Sequence, residues 1–278
     1  MKTSQHPLSI ETTKQYLNIL NVKDVSQIDL AFLRTLIRSH LHTIPYENFS
    51  KYHYVKNDVS IRYIHNTEAF IDRAKIGWGG TCYPLNIHFA KLLAALGYNS
   101  SLVRVRNGHV AIMVHFDNES YYVDVGYGAP LFSPLKLPEE GRLRIKKLGE
   151  EIFIKKIAPS LFEIDRHADG KSFVKKEIDW IPLSLEDFEA DIAHSHMDEP
   201  DNIVMRRLSA TIFKPRYCYY LNNETITRKN EYTKEVSKFT DQKSWASNVY
   251  QVFGIEEDVS LSAVSFLEDR GVKIFQDS

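Results

Sequence analysis

Gly77-Trp78-Gly79-Gly80-Thr81-Cys82-Tyr83-Pro84-Leu85-Asn86-Ile87-His88-Phe89-Ala90-Lys91-Leu92-Leu93-Ala94-Ala95-Leu96-Gly97 carries the signals on which the fold turns. Glycines at 77, 79 and 80 break the chain. Leu85, Phe89, Leu92, Leu93 and Leu96 then recur on one face until Gly97. The pattern predicts a sharp bend followed by a helix from Cys82 to Leu96. Cys82 therefore stands in a first helical turn, where unpaired backbone N–H groups and the positive end of the helix dipole gather. A thiol so placed has a lowered pKa and a larger thiolate fraction. The neighbouring glycines would let a substrate approach the backbone. A buried packing thiol is the alternative, since free cysteine is among the most buried residue types.

Towards the N-terminus the pattern stays helical. Ser9 to Thr12 caps a helix carrying Tyr16, Leu17 and Leu20, and Ile28 to Leu41 places Leu30, Leu33, Ile37 and Leu41 on one face. Ile44-Pro45-Tyr46-Glu47-Asn48 interrupts it, and Thr67 to Ile76 resumes it. Towards the C-terminus the period becomes two. Strands are expected over 102–106, 109–116 and 120–125, then over 142–147, 152–157, 161–166 and 172–177. A helical crossover capped by Ser184 follows over 182–193. Strands over 208–213, 216–221 and 224–228, with Asn222-Asn223 as a hairpin turn, precede a last helix from near Asp241 to Phe253. Helices, then a sheet-rich middle, then a mixed end define an α+β protein rather than an alternating βαβ one.

A nucleophilic thiol needs a base, and the base an orienting group. If Asp117-Asn118 is a two-residue hairpin turn, Phe116 pairs with Glu119 and Ala111 faces Asp124. His109 then lies two residues along on the face of Asp124, within reach as a diagonal neighbour. A turn slipped by one residue would part them. Asp124 also sits in an otherwise apolar strand, Tyr122-Val123-Asp124-Val125, where a buried carboxylate needs a partner. A solvated histidine and an exposed aspartate are the alternatives. Gly126-Tyr127-Gly128 reads either as a strand-ending turn or as backbone open to a ligand.

Composition narrows the rest. The chain has 278 residues, 43% hydrophobic and 26% charged, as in ordinary globular proteins. Lysine and arginine number 35 against 36 acidic residues, a net charge of -1, which argues against nucleic acid or anionic lipid as a partner. No leader-like apolar run follows the first lysine and no stretch approaches the ~20 apolar residues of a membrane span, so the expected location is cytoplasmic. The cysteines, Cys82 and Cys218, form no CxxC pair. His40 and His42 cannot share a helix face, and His194 and His196 read as a polar loop, so no metal site is expected. Cys218, within Tyr217-Cys218-Tyr219-Tyr220, reads as a packing residue, and Lys146-Lys147 and Lys155-Lys156 as sheet edges.

Together these residues resemble the arylamine N-acetyltransferase family: Ile44-Pro45-Tyr46-Glu47-Asn48, Gly79-Gly80-Thr81-Cys82 with Asn86, His109, and Val123-Asp124-Val125-Gly126-Tyr127-Gly128. Beyond about residue 135 the likeness is one of layout. The resemblance implies a helical domain over 1–98, a central antiparallel β-barrel-like domain over 99–196 and an α/β lid over 197–278, around a cysteine-protease-like core. It implies Cys82 as the nucleophile that takes an acetyl group from acetyl-CoA, His109 as base and Asp124 as orienter. An aromatic amine or hydrazine then receives the acetyl group in a ping-pong cycle, with no metal. Tyr127 would line the acceptor pocket, Gly128 would lie near the acyl group, and the backbone N–H groups of Cys82 and Val110 would receive the oxyanion. The pattern departs at Trp78, where the family usually has Arg to pair with an acid, which leaves Glu47 without that partner. It departs also at Pro84, usually Glu, and at the short segment 105–108 before His109. The alternatives are the same triad serving another acyl acceptor, as in an amide synthase or a papain- or transglutaminase-like amidase, or a diverged paralogue of low activity. Near-zero net charge means that anionic CoA would be held by a local pocket.

Overall fold

The computed structural model describes residues 8–25, 27–57, 64 and 66–275. Helices α1 (Ile10–Ile19), α2 (Leu30–Thr43), α3 (Phe49–Lys56), α4 (Thr67–Ala74) and α5 (Cys82–Ala95) come first, with the short strand β1 (Tyr46–Glu47) between α2 and α3. Each amphipathic start has its cap: Ser9 accepts from the Thr12 N–H, Asp29 from Phe32 and Asn66 from Ala69. Helix α5 is buried on every side from Cys82 to Ala90, as befits a helix that is apolar all round. It packs against α1, α4 and the first strands of the large sheet.

That sheet contains β2 (Asn99–Val105), β3 (His109–Phe116), β4 (Glu119–Val123), β5 (Leu135–Lys136), β6 (Arg142–Lys147), β7 (Glu150–Ala158), β8 (Leu161–Ala168) and β9 (Lys171–Leu183). Their order is β5-β4-β3-β2-β9-β8-β7-β6, with every pairing antiparallel. Leu102, Val110, Ile112, Val114 and Val123 face the helices. Val103, Val105, Ala111, Met113 and Tyr122 face a second core, shared with Ile152, Ile154, Ile164 and Ile178. The sheet curls round this second core, so β3 is buried on both faces.

The second sheet has the order β1-β10-β11-β12-β13, built from β10 (Ser209–Phe213), β11 (Cys218–Asn222), β12 (Thr225–Lys229) and β13 (Lys234–Lys238). Between the sheets lies the short helix α6 (Glu189–Ser195), and α7 (Gln242–Phe253) and α8 (Glu257–Glu268) close the chain. Their core holds Trp245, Val249, Phe253, Phe266 and Leu267 together with Phe49 and Tyr52 from α3. Residues 46–52 thus belong as much to the last third of the chain as to the first. The architecture is α+β, with a helical N-terminal region, as the order of patterns implies.

Several local expectations shift. Strand β9 runs on to Leu183, and the crossover helix is confined to Glu189–Ser195. Ser184 does not cap it: its N–H and hydroxyl both donate to Asp187. Asn222 pairs with Thr225, so the hairpin turn is Asn223-Glu224 with Asn223 at φ 51°. Lys146-Lys147 lie on the edge strand β6, but Lys155-Lys156 lie on β7, inside the sheet, and pair with Glu163 and Glu139.

One buried ionic cluster joins the two sheets. The Glu150 carboxylate on β7 accepts from Arg166 of β8 at 2.8 Å, the Tyr220 hydroxyl of β11 at 2.6 Å and Lys229 of β12 at 3.1 Å. Removing one partner of a buried pair strands the others without counter-charge. Glu150→Ala is therefore expected to lower unfolding stability by about 3–5 kcal/mol in denaturant titrations. An unchanged midpoint would mean that the cluster does not join the sheets.

Candidate active site

The bend before α5 is made of close backbone contacts. Gly80 has φ +77°, and a Cβ on Gly79 would lie 2.0 Å from the Pro45 carbonyl oxygen. These glycines serve chain packing, so the open approach for a substrate expected there is taken by residues 44–45. Glu47, without an arginine, is held from within the bend. Its carboxylate accepts from the Gly80 N–H at 2.6 Å, the Ser50 N–H at 2.9 Å and the Ser50 hydroxyl at 2.6 Å. Trp78 lies tilted against His53 and edge-on to Tyr54, with the Arg73 guanidinium 5.4 Å from its ring centre. Pro84 lies in the first helical turn, where the missing N–H would have no intrahelical partner.

The β3–β4 hairpin has the register on which the triad geometry depends. Phe116 pairs with Glu119 and Ile112 with Val123, across Asp117 and Asn118 at φ 49° and 62°. His109 and Asp124 consequently meet, with Nε2 to Oδ2 at 2.7 Å. The other Asp124 donors are the Tyr122 hydroxyl at 2.8 Å, Asn86 Nδ2 at 2.9 Å and the Gly126 N–H at 2.9 Å. Asn86, one turn beyond Cys82, also donates to the Val110 carbonyl and accepts from the Val125 N–H. A Cβ on Gly126 would lie 2.7 Å from both Asn86 Nδ2 and the Cys82 Cα, so the loop seats directly on α5.

Cys82, His109 and Asp124 are all buried. Burial alone would raise the Cys82 thiol. The His109 ring, by charge and hydrogen bond, together with Lys51 and the Val110 N–H, brings it below the ordinary value. Burial likewise opposes protonation of His109, but Asp124 and the thiolate raise its pKa to about 9. Asp124, despite burial, is held low by His109, Asn86 and Tyr122. Because His109 Nε2 binds Asp124, Nδ1 is the ring nitrogen left for the sulfur, while the Cys82 thiol lies 3.7 Å from the Gly108 carbonyl oxygen. The electrostatics favour a thiolate–imidazolium pair.

Cys82, His109, Tyr127 and Gly128 line one cavity of about 610 Å³. The Tyr127 ring centre is 5.1 Å from that of His109. Arg166 fixes the loop by donating to the carbonyls of Tyr127 at 3.0 Å and Gly128 at 2.9 Å. Val110 is fully buried and does not line the cavity; its contribution there is the N–H at the sulfur. The lining includes Lys51, Arg166, Lys176, Arg207 and Lys229 against the one carboxylate of Glu150. Sequence reading singled out none of these six, nor Tyr122. Tyr122 had a usable signal, since it lies two residues before Asp124 and shares its strand face. A second cavity, about 410 Å³ and lined by Arg34, Arg38 and Phe132 among others, shares no residue with the first.

The remaining candidates have structural settings. Cys218 is buried beside the carbonyls of Leu148 and Lys229, and burial pushes its thiol up to about 11. His40 is buried against Tyr16 and Phe89, with its pKa lowered to about 3 by burial. Among the described residues no group of three or more His, Cys, Asp or Glu side chains is placed to hold a metal ion. No helix among them is long and apolar enough to cross a membrane.

A family model described as N-acetyltransferase matches residues 29–261. The match continues well past residue 135, where the sequence alone offered only layout. The chain belongs to the arylamine N-acetyltransferase family. It is 28% identical over 136 residues to proansamycin X synthase of Amycolatopsis mediterranei, covering 45% of this chain. That match spans about half (52%) of the curated relative's length. Its fold is similar to the arylamine N-acetyltransferase from Salmonella typhimurium, at 20% identity and TM-score 0.77, over 93% of this chain and 98% of that one. It is also similar to that of Mycobacterium marinum solved in complex with CoA, at 18% identity and TM-score 0.77, over 94% and 99% of the two chains.

The pKa directions set the pH window of Cys82. The thiolate persists down to the lowered thiol pKa, and the imidazolium that stabilises it persists up to about pH 9. Alkylation of Cys82 by iodoacetamide should titrate with a midpoint below the pKa of about 8.5 that governs a free thiol. Asp124→Asn removes the charge that raises His109 and should move the midpoint back up. A wild-type profile titrating near 8.5 would show that the thiol is not activated.

Proposed function

We propose that the protein is an acetyl-CoA-dependent N-acetyltransferase that carries the acetyl group on Cys82 and delivers it to an aromatic amine or hydrazine. The observation that carries this reading is the 2.7 Å His109–Asp124 pair beside Cys82 in one cavity. The Cys82 thiolate attacks the thioester carbonyl of acetyl-CoA. The resulting oxyanion is received by the backbone N–H groups of Cys82 and Val110. Collapse breaks the bond to the CoA sulfur, which leaves with the proton held on His109, and Cys82 becomes an acetyl thioester. The amine attacks that thioester, His109 takes its proton, and the Cys82 thiolate is restored with the amide as product. Asp124 keeps the imidazole oriented and stabilises its positive form throughout. Arg166, Lys176, Arg207 and Lys229, in a protein of net charge -1, give the cavity the local positive field that anionic CoA requires. The CoA complex of the Mycobacterium marinum relative supports the same co-substrate. In this reading 1–98 supplies the nucleophile, 99–196 the base and orienter, and 197–278 a lid in the cytoplasmic protein, with Tyr127 and Gly128 beside the acceptor. The relative named proansamycin X synthase favours one second reading, in which the same thioester is delivered to a different acyl acceptor.

Acetyl-CoA alone should add one acetyl mass to the intact protein, absent in Cys82→Ala and discharged by an aromatic amine. No mass gain with any short acyl-CoA would overturn the reading, and loading without discharge by any amine would favour the second acceptor class. Asp124→Asn should keep the fold and lose roughly 10⁴-fold in turnover, as removal of an orienting carboxylate does in other triads.

A further inference from the structure

Lys51 lines the cavity outside the triad, and its charge also favours the Cys82 thiolate. It lies on α3, is 2% exposed, and lines the same cavity as Cys82. Its Nζ donates to the Ser195 carbonyl at 2.8 Å and to the Ser195 hydroxyl at 3.2 Å. An ammonium has three N–H donors, so one remains. The groups bonded to Nζ offer no counter-charge: Ser195 is neutral, and His196, bonded to the Ser195 hydroxyl, is kept neutral by burial and by Lys51 itself. Glu47 is occupied by Ser50 and Gly80, and among the described residues no carboxylate reaches ion-pair distance of Nζ. Burial lowers the Lys51 pKa to about 8, while Cys82 and Glu47 act to raise it.

A buried ammonium without a carboxylate is costly unless an anion completes it. Lys51 and Cys82 line the same cavity, and the charge on each favours the charge on the other. The phosphates of CoA lie at the far end of its pantetheine arm, away from the thioester. An anion beside Cys82 therefore belongs to the groups that meet there, the acyl chain or its acceptor. We propose that Lys51 forms a carboxylate subsite inside the acyl-transfer cavity, so that the preferred acyl group or the preferred amine carries a carboxylate. This rests on the transferase reading above and narrows its substrate class.

Two arms of one experiment separate the sources. The first compares 4-aminobenzoate with its neutral methyl ester as acceptor from acetyl-CoA. The second compares malonyl-CoA with propionyl-CoA for loading of Cys82, followed by intact mass. In one arm the wild type should prefer the carboxylate by ~10–100-fold in kcat/KM, the range of a charge-assisted hydrogen bond. The preference should vanish in Lys51→Met and return in Lys51→Arg. Thermal unfolding of each variant checks that it is folded. No preference in either arm, or a preference that survives Lys51→Met in a folded protein, overturns the subsite. So does a Lys51→Met variant whose sole change is a raised KM for acetyl-CoA, which would assign Lys51 to CoA. Failure of every short acyl-CoA, malonyl-CoA included, to load the wild type counts against the transferase reading itself. Loading and discharge to the methyl ester without a carboxylate preference counts against the subsite alone.

Discussion

The buried Asp124 carboxylate is the constraint on which the rest is arranged. An ionised carboxylate out of water persists only where donors surround it, and here they come from four places: His109 on β3, Tyr122 on β4, Asn86 on α5 and the Gly126 N–H. The same contacts that keep the acid ionised therefore fix the hairpin to the helix and the loop to both. Asn86 adds bonds to the backbone of residues 110 and 125, so the helix that presents Cys82 is locked to the strands that present His109 and Asp124. The geometry of the site and the stability of the fold use one set of hydrogen bonds.

Around this centre the structure separates two electrostatic tasks. Around His109, one imidazolium lies between the ionised Asp124 and the Cys82 thiolate, and burial of all three makes each charge depend on the others. Across the cavity, positive charge is left in excess, and Glu150 offsets part of it by holding Arg166 and Lys229. Arg166 works in both settings, since its guanidinium is tied to Glu150 while also holding the carbonyls of Tyr127 and Gly128. The loop beside His109 is thereby positioned by the cluster that joins the sheets.

Legibility of the fold in the sequence followed how one-sided the burial is. Helix α2, with one apolar stripe, and the Asp117-Asn118 hairpin, with its turn residues, could be read locally. Helix α3 could not: Tyr54 packs into the N-terminal core while Phe49 and Tyr52 pack into the C-terminal one, so no single stripe marks it. Strand β13 escaped because all its residues are exposed and no alternation is written into Lys234–Lys238. At the site, Cys82, His109 and Asp124 were legible as residue types at compatible positions. Lys51 and Arg207 were not, because a lysine or arginine in sequence looks the same whether it faces water or a closed cavity. Glu47 shows a further limit, since backbone N–H groups replaced the partner that a side-chain pattern would have supplied.

The pairing of β1 with β10 brings Tyr46 opposite Thr211 and Glu47 opposite Ala210. As the chain leaves the ribosome, the segment that shapes the bend before Cys82 is made early, whereas the strand that completes its sheet comes more than half the protein later. Contacts of such sequence separation are closed late and slowly in folding. The helix that bears Cys82 is synthesised well before β10, so the cavity that Cys82 shares with Ser209 and Thr211 cannot close until the C-terminal part of the chain has folded back onto the N-terminal part.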